Sequence, residues 1–394
     1  MRLGRLTAAL RADVNAGAIP GAVLTISNRQ DCVYAECFGF ADLRAGRPMQ
    51  RDSIFRIASL TKPVTVAAAL ILLEQGRLLL SDPVSRYLPE LRALRVGVES
   101  IDPATNERRL TLQPAQRPPT VQDLMRHTAG FTYGQFGESL VQKAYREAGL
   151  MDWQQTNAEM IAKLATIPLS HQPGTVFEYG MSTDVLGRVV EVVAERTLEE
   201  FFAAEITGPL GMTSTGFSLA AADAHRLAEP RPGTGSPSGA AGYGDPARRA
   251  KWHSGGGGLL STADDYSRFS RMLLNGGEWD GERLLSRKTV DLMTHDHLPP
   301  NVAFGSFTPE LGLAAPLPRL GQGYGLGVGV RTQQGLSAAP GSAGDFYWGG
   351  ATGPYFWVDP VEKFTAVFML QELDVRRRTR YRSLLRDLVY QALE

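Results

Sequence analysis

Strand-like runs stand at both ends of this 394-residue chain while its middle is patterned for helix, and that arrangement limits the folds open to it. Near the start, "GAVLTISN" and "CVYAECFGFAD" read as two strands joined by a polar turn, Asn28 to Asp31. Near the end, "GYGLGVGVRT", "DFYWGGATG", "PYFWVDP" and "FTAVFMLQ" read as further strands, with a turn from Asp359 to Lys363 between the last two. An amphipathic helix with Leu3, Leu6, Leu10 and Val14 on one face precedes the first strand, and another with Leu384, Leu385, Leu388, Val389 and Ala392 closes the chain. Between about Ser59 and Asn275, runs such as "DVLGRVVEVVAERTLEEFFAAEI" are helical in pattern. The economical solution is an α/β fold of the α+β type. Residues 1–57 and 320–394 build one lobe on a shared antiparallel sheet flanked by the terminal helices, and residues 58–319 form an inserted, mostly helical lobe, with the site between them.

Composition removes several classes of function. Lys plus Arg and Asp plus Glu both total 41, so no overall charge draws the chain to nucleic acid or to an anionic membrane. The basic cluster "RRRTRYR", Arg376 to Arg382, reads as a solvated helix start. No run reaches the length of a membrane span, and the first helix lacks the continuous apolar core of a signal peptide. Cys32 and Cys37, five apart in a strand, are expected on opposite faces as free thiols, which favours a reducing, cytoplasmic compartment. The Pro- and Gly-rich segment 230–246 reads as a loop.

One charge is out of place. In "FRIASLTKPVTVAAALILL", Lys62 is the single amine in an otherwise apolar helix, three residues after Ser59. Ser59 stands where extended chain turns into helix, near backbone N–H groups and the positive end of the helix dipole. Residues at i and i+3 share a helix face, which brings the Lys62 amine within reach of the Ser59 hydroxyl. Desolvation lowers a lysine pKa toward the range in which a neutral amine accepts a proton, and a serine hydroxyl becomes a nucleophile only beside such a base. The bland alternative is a serine cap with a lysine that snorkels to solvent.

Further motifs bear on that choice. Tyr179, in "PGTVFEYGMSTDVLG", follows a Pro-Gly turn and precedes a helix, which can set a phenol at a cleft edge, although a tyrosine there is more often core. In "FYWGGATG" two glycines clear one strand edge for a ligand. Taken in order, "SLTK" (Ser59–Lys62), "HTAG" (His127–Gly130), "YGM" (Tyr179–Met181), "GGGGLLSTADDYSRF" (Gly255–Phe269) and "WGG" (Trp348–Gly350) resemble the serine β-lactamase and penicillin-binding-protein superfamily. Within it, the chain is most similar to the class C β-lactamase-like, or family VIII, carboxylesterases and related acyltransferases.

The resemblance implies Ser59 as nucleophile, Lys62 as its proton partner, Tyr179 as general base and acid, and the backbone N–H groups of Ser59 and Ala351 as oxyanion hole. Trp348, Gly349, Gly350, Met181, Phe131 and Tyr133 would line the substrate pocket. In β-lactamases the tyrosine motif ends in Asn and the last triplet begins with Lys; here Met181 and Trp348 hold those positions. The cation that would hold a substrate carboxylate is therefore absent, and a small-molecule ester is the expected substrate. No cofactor and no metal are expected: "HDH" at His295 to His297 reads as a surface loop, and His127 and His253 as structural hydrogen-bonders. A Gly-x-Ser-x-Gly elbow and a phosphate loop are absent from the sequence. The expected activity is hydrolysis of short-chain esters through an acyl-enzyme, with acyl transfer, then β-lactam or D-amino-peptide hydrolysis, and last a non-catalytic scaffold as alternatives.

Overall fold

The computed structural model describes residues 3–232 and 249–393; most of the 230–246 loop lies outside the described residues. Eight strands form one antiparallel sheet. In chain order they are β1 (Gly21–Asn28), β2 (Cys32–Asp42), β3 (Arg47–Pro48), β4 (Gln322–Tyr324), β5 (Gly329–Arg331), β6 (Phe346–Gly349), β7 (Tyr355–Asp359) and β8 (Phe364–Leu370), and they lie in the order β4-β5-β6-β7-β8-β1-β2-β3. The two chain ends meet at the centre, where β1 pairs with β8 from Ala22 opposite Leu370 to Asn28 opposite Phe364. Side-chain alternation gives the sheet two covered faces. Tyr355 meets Arg386 of the closing helix α5 (Val375–Tyr390), while its neighbour Phe356 meets Tyr266 on the opposite face, in α4 (Ala263–Leu274). The first helix, α1 (Gly4–Asn15), packs against both β2 and α5. A single buried cluster runs from Leu6 to Val389, so the core is continuous from the sheet into the helices.

Four expectations need correction. The run "GYGLGVGVRT" is not one strand: β4 and β5 form a hairpin in which Gly325 N–H donates to Val328 O. Gly327 there takes φ +78°, and a Cβ on it would lie 2.7 Å from Val66 Cγ2, so both conformation and space demand glycine. Within the helical middle, Arg95–Ile101 and Arg108–Pro114 pair as a second, largely exposed hairpin. The two thiols are not on opposite faces, because a bulge between Ile26 and Ser27 shifts the register; both come under the field of Arg51, whose Nη2 is 4.0 Å from Cys32 Sγ. The basic cluster is only partly solvated. Arg378 donates to Ala351 O, Arg382 to Gly350 O at 3.0 Å, and the next arginine, Arg386, is buried against Asp345 at 2.8 Å.

Asp123 organises the approach to the "HTAG" motif. It closes a capping box with Thr120 at the start of helix Val121–Met125, and its buried carboxylate also accepts from Arg117, Arg126 and Thr128. Burial opposes the charge, but these donors hold the carboxyl down to about 2 from its ordinary 3.8. Stability from this depressed group is complete above pH 3.8 and is lost as pH falls through about 2. Asp123→Asn should therefore destabilise the protein by about 2 kcal/mol at neutral pH. Urea-unfolding midpoints of variant and wild type should converge as pH falls toward 2; a gap that stays constant with pH would disprove this account.

Candidate active site

Ser59 lies in a 3-10 turn, Ala58–Leu60, that leads directly into helix α2 (Thr61–Glu74). Ala58 has φ +46°, a left-handed conformation unusual for a residue with a Cβ, and the Thr61 hydroxyl pins its carbonyl at 2.7 Å. The turn presents the half-buried Ser59 hydroxyl, while Lys62 one turn on has no exposed surface at all. The snorkelling alternative is thereby removed. Lys62 Nζ donates to Gly256 O at 2.7 Å, to Ser59 Oγ at 3.3 Å and to Tyr133 Oη at 3.3 Å.

Tyr179 comes from the segment preceding helix α3 (Ser182–Ala194), with Met181 at its N-cap position. Lys62 Nζ lies 4.8 Å from the centre of the Tyr179 ring. The phenol oxygen accepts a hydrogen bond from Trp348 Nε1 at 3.3 Å. Trp348 sits near the end of β6, just before the Gly349–Gly350–Ala351 turn. That turn is tied to the segment before Ser59: Thr352 Oγ1 donates to Arg56 O at 2.5 Å, and a Cβ on Gly350 would lie 2.5 Å from Ile57 O. A Cβ on Gly349 would meet only the guanidinium of Arg382, at 2.4 Å, whereas at Gly350 it would meet backbone, so close packing requires glycine at 350. The turn carrying Ala351, which is itself exposed, thus stands beside the turn carrying Ser59.

Of the expected pocket residues, Tyr133 and Met181 line an open cleft with Gly134, Tyr145 and Leu150. Phe131 does not face it; the side chain has no exposed surface and belongs to the core, with its backbone carbonyl against Gly180. Phe136, which sequence reasoning missed, stacks on Phe307 at 3.6 Å and lies nearly parallel to Tyr179 at 6.2 Å, so an aromatic layer covers the phenol. Both phenylalanines sit in irregular segments without periodicity, and nothing in their sequence neighbourhood marks them.

His127, also left-handed at φ +57°, packs its ring 4.8 Å from that of Tyr179 and accepts from Gly180 N–H through Nδ1. Burial, reinforced by the Lys62 charge, holds its pKa well below the usual 6.5, which keeps it neutral. His253 lies 3.6 Å from Glu199, and His297 bonds Leu292 O and Gln122, so these rings are held by structural partners. Among the described residues, no group of three or more His, Cys, Asp or Glu side chains is placed to hold a metal ion.

The other unanticipated group is Asp184, on the first turn of α3 and 1% exposed. Its Oδ1 accepts from Ser254 Oγ at 2.5 Å and from Gly256 N–H at 3.0 Å, and its Oδ2 from Tyr133 Oη at 3.4 Å. Burial raises its pKa, opposed by the Lys62 charge and by these donors. An acid in the first turn of a helix is what the helix dipole favours, so nothing in the neighbouring residues marks it out.

The family model described as Beta-lactamase matches residues 6–390. Protein Rv1367c of Mycobacterium tuberculosis is 37% identical over 380 residues, covering 94% of this chain and 90% of its own. Lovastatin esterase of Penicillium rubens is 32% identical over 378 residues, covering 92% and 91%. Among solved structures, EstCE1, titled a hydrolase with promiscuous acyltransferase activity, superposes with a TM-score of 0.79 at 28% identity, over 98% of both chains. A serine and a buried lysine one turn apart, a phenol against that lysine, and a match along nearly the whole chain together establish that this protein belongs to the Beta-lactamase family.

Proposed function

We propose that the protein is a serine carboxylesterase that cleaves short-chain esters through an acyl-enzyme on Ser59. The observation that carries this reading is the Ser59 hydroxyl 3.3 Å from the amine of a fully buried lysine, with Tyr179 against the same amine. Ser59 Oγ attacks the ester carbonyl, and the Lys62/Tyr179 pair takes its proton. The carbonyl oxygen becomes an oxyanion, met by the backbone N–H groups of Ser59 and Ala351. Collapse of that intermediate breaks the ester C–O bond, and the proton returns to the leaving alcohol. Water then attacks the acyl-enzyme carbonyl and gives its proton to the Lys62/Tyr179 pair; collapse breaks the bond between the acyl carbon and Ser59 Oγ, the pair returns the proton to Ser59, and the acid leaves.

The neutral Trp348 supports an uncharged acyl group, since its indole occupies the position of the carboxylate-binding lysine of β-lactamases. With a sheet lobe of 1–57 and 320–394 and a second lobe of 58–319, the substrate enters by the open cleft that Tyr133 and Met181 line. Cys32 and Cys37 are unpaired, in keeping with a reducing compartment. Among the described residues no helix is long and apolar enough to cross a membrane. A second reading, acyl transfer to an alcohol or amine, is favoured by the Phe136–Phe307 layer over Tyr179, which limits access of water to the acyl-enzyme.

Wild-type protein should hydrolyse p-nitrophenyl acetate and butyrate and should form a covalent fluorophosphonate adduct at Ser59. Ser59→Ala should lose the adduct and at least about a thousandfold in kcat/KM; equal rates in folded variant and wild type would refute the nucleophile assignment. With excess alcohol acceptor, product analysis separates the two readings: free acid as the main product marks an esterase, a new ester an acyltransferase.

A further inference from the structure

The site described so far leaves one buried ionisable group without a task. Asp184 touches neither Ser59 nor Tyr179, yet both of its oxygens are committed to groups that hold Lys62. Oδ2 accepts from Tyr133 Oη, and that phenol oxygen in turn accepts from Lys62 Nζ. Oδ1 accepts from Gly256 N–H, and the carbonyl of the same residue accepts from Lys62 Nζ. A Cβ on Gly256 would lie 2.3 Å from Asp184, so glycine is what lets the carboxylate come this close.

The direction of these bonds follows from donor counting. A carboxylate only accepts and a peptide carbonyl only accepts, while a phenol has one proton to give. With the Tyr133 proton given to Asp184, Lys62 must donate to Tyr133 Oη, as it must to Gly256 O. Two of the three polar directions at Nζ are thereby fixed as outgoing N–H bonds. The third points at Ser59 Oγ, and only there can a proton be exchanged in either direction.

We propose that Asp184 is the positioning residue of the site: acting through Tyr133 and Gly256, it aims the exchangeable position of Lys62 at Ser59, and as a buried anion it supplies the counter-charge that stabilises the ammonium form. This rests on the catalytic reading of Ser59 and Lys62 given above. The groups facing Lys62 are Ser59 on its own turn, His127 and Tyr133 from the segment after helix Val121–Met125, and Tyr179 and Asp184 from the segment entering α3. The segment around Gly256 contributes backbone and the Ser254 hydroxyl, and the guanidinium of Arg382 acts at longer range on Tyr179. Because His127 stays neutral, Asp184 is the anion in direct contact with the lysine's partners.

The test reads Lys62 itself. The chain has six lysines, so lysine labelled with 13C at Cε and 15N at Nζ gives a small set of NMR signals, and loss of one in Lys62→Met assigns it. Following that signal with pH should show its midpoint about one unit or more lower in Asp184→Asn than in wild type, since an opposite charge has been removed from a buried site. Tyr133→Phe keeps the ring but breaks the bridge, and should shift the midpoint in the same direction; it carries the test if Asp184→Asn fails to fold. An unchanged or raised midpoint in either folded variant overturns the proposal. The readout is independent of ester turnover, so a wild-type protein that fails to take up fluorophosphonate would sink the hydrolase reading without deciding this one.

Discussion

Burying an ammonium costs several kcal/mol unless its hydration is replaced, and the surroundings of Lys62 are arranged around that cost. Three oxygens meet the nitrogen: a hydroxyl on the preceding turn, a phenol from the "HTAG" side, and a carbonyl from the glycine-rich turn. Each comes from a different stretch of chain, so the charge can be buried only once α2, the 127–133 segment and the 254–258 turn have come together. The apolar helix around Lys62 can then be core on nearly every side, with residues from Thr61 to Leu72 all buried.

The same demand accounts for the irregular backbone nearby. Ala58 and His127 both adopt left-handed conformations, which for residues with a Cβ are uncommon and costly. One precedes Ser59 and the other precedes the Thr128–Tyr133 stretch, so the two strained turns flank the lysine. Glycine serves where backbone meets backbone: Gly180 against Phe131 O, Gly255 against Thr183 O and Gly350 against Ile57 O. The site is thus an assembly of turns pressed together, supported by a helix behind and a strand end beside it.

What was legible in the sequence follows from this. Lys62 stood out because a charge in an apolar run has no bland explanation once neighbouring motifs are in view, and the shared terminal sheet because short strands at both ends leave each other as natural partners. The Arg95–Pro114 hairpin was missed although Val96 and Val98, and Leu110 and Leu112, alternate along its strands: each alternation is only two apolar residues long, and the largely exposed strands lie within a helical stretch of chain. Asp184 was hidden for a different reason: an acid in the first turn of a helix is what the helix dipole favours anyway, so its position reads as ordinary. Its partners, Tyr133 and the 254–256 turn, lie some fifty and seventy residues away, beyond any local pattern.

The pairing of β1 with β8 also sets an order of events during synthesis. Until Phe364–Leu370 has left the ribosome, the N-terminal hairpin has an open edge at Gly21–Asn28, and β4 to β7, which pair with one another, have no strand that links them to it. Helix α2 and its serine exist hundreds of residues earlier, but the wall that carries Gly350 and Ala351 arrives among the last elements made. The chain is therefore built with Ser59 first and the groups that complete its surroundings last, and a nascent or C-terminally shortened chain holds the one without the other.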